Sequence, residues 1–196
     1  IHSTGYYLGQ QFLSSVANVR TDEYGGSREN RIRFHLNIIR RIRELCGNDF
    51  PIVVKFSATE SGKDAGITVK DGIYYAKRLQ DAGVDALEVL AGVWSSEKEN
   101  TVKGSETECQ TAGLCRILKQ GIRKMTGKAP VIKTIGGGQV QHPQEAEQVL
   151  ELHQCEFIFV GRELLVQPDF VKLIEEERED EIKHCIGCGT CSASEE

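Results

Sequence analysis

Short apolar runs alternate with segments of helical periodicity along most of this chain, and that alternation restricts the fold more than any single motif. Over residues 28–45, Ile32, His35, Leu36, Ile39, Ile42 and Leu45 recur at spacings of three and four, which predicts a helix capped by Ser27 and ended by Gly47. An apolar strand follows at 51–57, a helix at 69–82 and a second strand at 86–91. After a long polar stretch at 93–108 come a helix at 112–125, a strand at 131–135 running into Gly136-Gly-Gly138, and a helix at 143–152 opened by a proline. The last repeat is a strand at 157–160 running into Gly161-Arg162, then a helix at 168–177. Strands that are apolar throughout are expected to be buried on both faces, and strand–helix alternation implies parallel pairing through crossover helices. Two architectures satisfy this: an open doubly wound sheet, or part of a parallel (β/α)8 TIM barrel. Eight units need about 250 residues. This chain of 196 residues holds four complete units plus a leading helix and a strand end at residues 1–2, about the C-terminal half of such a barrel. No Gly-x-Gly-x-x-Gly follows any strand, which weakens the dinucleotide-binding alternative.

Composition narrows the class further. With 39% hydrophobic and 27% charged residues the chain is neither disordered nor membrane-spanning, and no apolar run approaches the roughly 18 residues of a transmembrane helix. A net charge of -5, from 24 basic and 29 acidic residues, argues against nucleic acid as the main partner. The opening Ile1-His2-Ser3-Thr4 lacks an initiator Met and the features of a signal peptide, so the chain is expected to be a fragment. Seven cysteines, three of them in Cys185-Ile-Gly-Cys188-Gly-Thr-Cys191, fit reduced thiols, a cytoplasmic setting and a metal site better than a disulfide framework.

Three groups of residues stand out chemically. Gly136, Gly137, Gly138 and Gly161 follow the last two strands, where backbone N–H groups can approach an anion, and Arg162 can grip two phosphate oxygens at once. Tight turns alone would also explain the glycines. Lys55 lies inside an apolar strand, so its charge must meet a partner or a cavity, or snorkel from the strand end. Cys185, Cys188 and Cys191 have the C-x2-C-x2-C spacing of iron–sulfur ligands. Zinc with His184 as an added ligand, or an unloaded tail, are the alternatives. His35 reads as a core residue, the acidic run at 175–181 as a solvated face, and the segment 20–26 as a loop locked by arginine–carboxylate pairs.

The run Gln11-Phe-Leu-Ser, then Asn18-Val-Arg-Thr-Asp-Glu-Tyr-Gly-Gly-Ser-Arg-Glu-Asn-Arg-Ile-Arg-Phe34, resembles the old yellow enzyme family of flavin-dependent oxidoreductases. Phe50-Pro-Ile-Val-Val-Lys-Phe-Ser57, Ala82-Gly-Val-Asp85 and Phe159-Val-Gly-Arg-Glu-Leu-Leu-Val-Gln-Pro-Asp-Phe170 agree in order and spacing, and the cysteine cluster resembles that of the iron–sulfur branch, which holds trimethylamine dehydrogenase and 2,4-dienoyl-CoA reductase. The resemblance implies a barrel half at residues 1–182 and the start of an iron–sulfur site at 183–196. It implies FMN at the C-terminal strand ends, with Lys55 facing the flavin and Arg162 and the glycines on its phosphate. One [4Fe–4S] cluster is implied on Cys185, Cys188 and Cys191, its fourth cysteine about a dozen residues further on. Tyr7 is placed as a general acid and His2 as a carbonyl donor. Gly5 stands where the family has a second polar side chain. Trp94 lines the substrate pocket, with Ser95 where several relatives have a histidine. NAD(P)H is the implied electron donor, FAD the cofactor of a further FAD/NAD(P) module, and the missing N-terminal half-barrel the structural partner. A homo-oligomer is compatible with all of this. The implied reaction is reduction of an activated C=C bond or oxidation of an amine. A non-catalytic FMN or iron–sulfur carrier subunit, and a phosphate-binding barrel without flavin, are the competing functions.

Overall fold

The computed structural model describes residues 1–61, 66–93 and 111–192. Within them five strands form one parallel sheet in the order β1 (His2–Ser3), β2 (Val53–Ser61), β3 (Ala86–Val93), β4 (Lys133–Gly137) and β5 (Phe157–Phe159). Chain order and spatial order coincide, as expected of a barrel and not of a doubly wound sheet, whose strand order reverses. β1 and β5 are the edges, so among the described residues the sheet does not close.

The helices form a layer on one face. Residues 28–46 make two helices, α2 (Arg28–Arg31) and α3 (Arg33–Cys46), broken at Ile32, with Ser27 Oγ accepting from the Asn30 N–H. A shorter helix, α1 (Leu8–Leu13), precedes them. Thr68 and Asp71 form a reciprocal capping box at the start of α4 (Val69–Asp81), satisfying two otherwise unpaired N–H groups. Helix α4 lies so close to β2 that a Cβ on Gly72 would come 2.0 Å from the Ala58 carbonyl oxygen. Helix α5 (Ala112–Thr126) buries Cys115, Leu118 and Ile122 and ends at left-handed Gly127. Helix α6 (Pro143–Glu151) starts at the proline. The helix expected at 168–177 is shorter, α8 (Phe170–Glu175), and a further short helix, α7 (Arg162–Val166), precedes it. Gln167 takes a non-helical conformation between them (φ -133°, ψ 87°), ahead of Pro168, whose ring disfavours helical geometry in the residue before it.

The main core lies between sheet and helices, around Val54, Phe56, Leu87, Val89, Ile39 and Leu79. Burial on both sheet faces, expected from the apolar runs, is not observed. Val53 and Phe157 are 38% and 54% exposed, and Lys55 and Glu88 share their face of the sheet. A second layer over that face would have to come from elsewhere, as barrel closure supplies.

His35 is a core residue, as its position on the apolar side of its helix predicted. It is 1% exposed, its Nε2 is 2.8 Å from Ser3 Oγ, and burial pushes it down to about 4 from the ordinary 6.5. In the unfolded chain it takes up a proton near pH 6.5, so between that pH and 4 the unfolded state binds more protons. Stability present above pH 6.5 is therefore lost as pH falls, roughly 2–3 kcal/mol by pH 4.5. Urea unfolding at pH 7.5 and 4.5 should show this loss. His35→Gln should lack that part of the loss, and an equal pH dependence in the variant would refute the assignment.

Candidate active site

Parallel strands place all their C-terminal ends together. The loop after β1, the end of β2, the loop after β4 and the start of α7 after β5 thus face one region. Trp94, expected to line it, lies outside the described residues.

At β1, Gly5 and Tyr6 adopt left-handed conformations in succession (φ 64° and 63°), which turns the chain sharply and brings the Tyr7 ring edge-on to the His2 ring, centroids 5.1 Å apart. Tyr7 is 65% exposed. A buried network fixes this turn. Gln10 Oε1 accepts from the Tyr6 N–H (3.1 Å) and from Ser57 Oγ (3.1 Å), and Ser57 is 2.9 Å from Thr4 Oγ1. Gln10 Nε2 donates to Glu60 at 2.9 Å, and that carboxylate also accepts from Ser14 Oγ (2.9 Å) and the Gly66 N–H (2.8 Å). The strand register shifts between Ser57 and Thr59, a bulge that aims both Ser57 and Glu60 into this network. The downstream loop is locked by Arg20 on Asp22, which holds the Asp22 carboxyl below its ordinary range.

Two residues before Ser57 on β2, Lys55 Nζ sits 2.8 Å from Glu88 Oε1, its direct cross-strand neighbour, and 5.9 Å from the Phe159 ring centroid. The charge inside an apolar strand has therefore found a partner. Glu88 was legible by the same signal, a lone charge in the apolar run 86–91, and sequence reasoning passed it over.

The glycine run is divided in its use. Gly136 and Gly137 belong to β4 and are needed for packing. A Cβ on Gly137 would come 2.5 Å from the Phe159 carbonyl oxygen, and one on Gly136 would come 3.1 Å from both Ala112 Cα and Cys155 Sγ. Gly138 (φ 92°) turns the chain, and Gln139 continues at φ 54°, a conformation costly for a residue with a side chain. The result is a cavity of about 270 Å3 lined by Gln139–Gln141, Gly161–Glu163 and Cys185–Gly187. Arg162 lines it without an ion-pair partner among the described residues, and no atom lies within 4 Å of where a Cβ on Gly161 would stand. A partnerless guanidinium, an open glycine and a polar loop are the elements of an anion site.

Cys185 forms part of the wall of that cavity, which sequence reasoning had not foreseen. Cys188 and Cys191 are exposed, and Cys188 Sγ lies 3.2 Å from Thr190 Oγ1. Among the described residues no three Cys, His, Asp or Glu side chains are gathered around one possible metal position. The thiols have the spacing of cluster ligands but do not converge in this arrangement.

The profile of the NADH:flavin oxidoreductase / NADH oxidase family matches residues 1–181. The chain belongs to this family. It is 39% identical over 188 residues, 96% of its length, to a NADH oxidase of Thermoanaerobacter brockii, and 31% identical over 182 residues, 90% of its length, to a bilirubin reductase of Mediterraneibacter gnavus (strain CC55_001C). It spans only 28% and 27% of those relatives. The 6-hydroxypseudooxynicotine amine oxidase of Pseudomonas geniculata N1 superposes with a TM-score of 0.82 over 98% of this chain and 28% of that one, at 22% identity, which establishes likeness of fold. The five parallel strands are thus part of the family's (β/α)8 barrel, as the strand–helix count had indicated. No helix among the described residues is long and apolar enough to cross a membrane.

Proposed function

We propose that this chain is the C-terminal half of an FMN-dependent oxidoreductase barrel, residues 1–182, joined at 183–196 to the start of an iron–sulfur site. The observation that carries the reading is Arg162, without an ion-pair partner among the described residues, in a polar cavity at the C-terminal ends of β4 and β5. Arg162, Gly161 and the loop from Gly138 would hold the flavin phosphate, with Gly136 and Gly137 shaping the strand beneath. Lys55, steadied by Glu88, would present its ammonium to the flavin from the sheet face. When bound, FMN supplies hydride or single-electron transfer. Tyr7 holds a phenolic proton at the strand ends and His2 an imidazole beside it, groups suited to protonating a substrate carbon and binding its oxygen. Trp94 would complete the pocket.

The substrate class is an activated C=C bond or an amine, with NAD(P)H as donor. The reductase relative favours the reductive direction. A [4Fe–4S] cluster on Cys185, Cys188 and Cys191, an FAD/NAD(P) module elsewhere in the protein, a homo-oligomeric state and a reducing cytoplasmic setting belong to the same proposal. The support for the cluster is the cysteine spacing.

Replacing Arg162 with Ala removes a charge-assisted, two-pronged contact worth about 1.5–3 kcal/mol. FMN affinity of the full-length protein should fall about 10- to 100-fold, read by flavin fluorescence titration. Flavin content unchanged after gel filtration without added FMN would count against the phosphate assignment. A wild-type protein with no flavin absorbance would remove the reading altogether.

A further inference from the structure

Glu163 follows the phosphate arginine and is 3% exposed. A carboxylate so buried is costly unless its oxygens are occupied. Its Oε1 accepts the backbone N–H of Cys185 at 2.8 Å. Its Oε2 makes no hydrogen bond among the described residues and lies 3.6 Å from Nδ1 of His184, whose ring packs edge-on against that of His142, centroids 4.8 Å apart. The same residue is gripped from its other side, because the Gln141 side-chain amide donates to the Cys185 carbonyl. Two residues earlier, the Lys183 N–H reaches Gln167 Oε1 at 3.4 Å. Gln141, Glu163 and Cys185 all line the cavity that holds Arg162. The cysteine segment is therefore a wall of the anion site, hung on residues that come from the two strand-end loops forming that site.

We propose that Glu163 is a positioning residue that locks the Cys185 segment onto the phosphate loop, so that occupancy of the anion cavity and the conformation of residues 183–189 are coupled. The coupling rests on the reading of this cavity as the flavin phosphate site. A phosphate drawn to Arg162 draws in the Gly161–Glu163 turn that carries Glu163 and the loop that carries Gln141, the two residues that hold Cys185. Conversely, a released segment removes one wall of the cavity. The lock itself needs only an acceptor for the Cys185 N–H, so a neutral amide at position 163 keeps most of it and a methyl group keeps none.

The test is hydrogen–deuterium exchange, followed by mass spectrometry, on the full-length protein. Four samples are compared: wild type as purified, wild type stripped of FMN, Glu163→Ala and Glu163→Gln, each with flavin and iron content measured. The peptide covering 183–189 should exchange about tenfold faster in Glu163→Ala, the effect of losing one buried hydrogen bond, and within about threefold of wild type in Glu163→Gln. Stripping FMN should speed the same peptide in wild type and add nothing in Glu163→Ala. Equal protection in wild type and Glu163→Ala overturns the lock. FMN removal without effect on this peptide in wild type overturns the coupling, and it decides that point even if Glu163→Ala loses protection throughout the barrel. Absence of flavin from the purified wild type would defeat the flavin reading, while the Ala and Gln variants would still report on the lock.

Discussion

Replacing Cys188 with Ser should strip iron from the full-length protein and leave its flavin in place. Cys188 is exposed and does not line the anion cavity, whereas Cys185 does. A serine hydroxyl is a poor substitute for a thiolate, and loss of one of the four ligands of a [4Fe–4S] cube releases the cluster. Anaerobically purified wild type should contain about four iron and four sulfide per chain, and the variant close to none, with equal flavin absorbance. Zinc in place of iron, or iron indifferent to the change, would move the assignment to a structural metal.

Glu60→Ala should be strongly destabilising. It leaves the Gln10 amide, the Ser14 hydroxyl and the Gly66 N–H without their shared acceptor. Each buried, unsatisfied donor costs about 1–3 kcal/mol, and water entering the gap recovers part of it, so a loss of about 3–5 kcal/mol is expected. Glu60→Gln keeps one acceptor oxygen and should cost less. The same change releases Gln10, which holds the Tyr6 N–H and with it the turn presenting Tyr7. Urea unfolding should show the lost stability, and turnover measured well below the unfolding transition should fall in parallel. A shift under 1 kcal/mol would show that this network does not carry the load argued for it.

The strand–helix alternation, the helix cap at Ser27, the buried His35 and the half-barrel count were legible in the sequence because each rests on local periodicity or on residues three or four apart. The glycines and Arg162 were legible as a strand-end group for the same reason. What only the tertiary structure decided is which groups meet. Lys55 and Glu88 are 33 residues apart and become neighbours through strand register. Glu60 finds Gln10 and Ser14 because a bulge in β2 aims it at α1 and its flanking loops. Gly136 and Gly137 prove to be packing positions because Ala112, Cys155 and Phe159 occupy the space a side chain would need. Glu163, 22 residues before Cys185, takes its N–H because the chain beyond α8 returns to the strand ends. Periodicity is a property of neighbours along the chain and survives in the sequence. A hydrogen bond or a steric limit between distant residues depends on the register and packing of whole elements, and no spacing in the sequence records it.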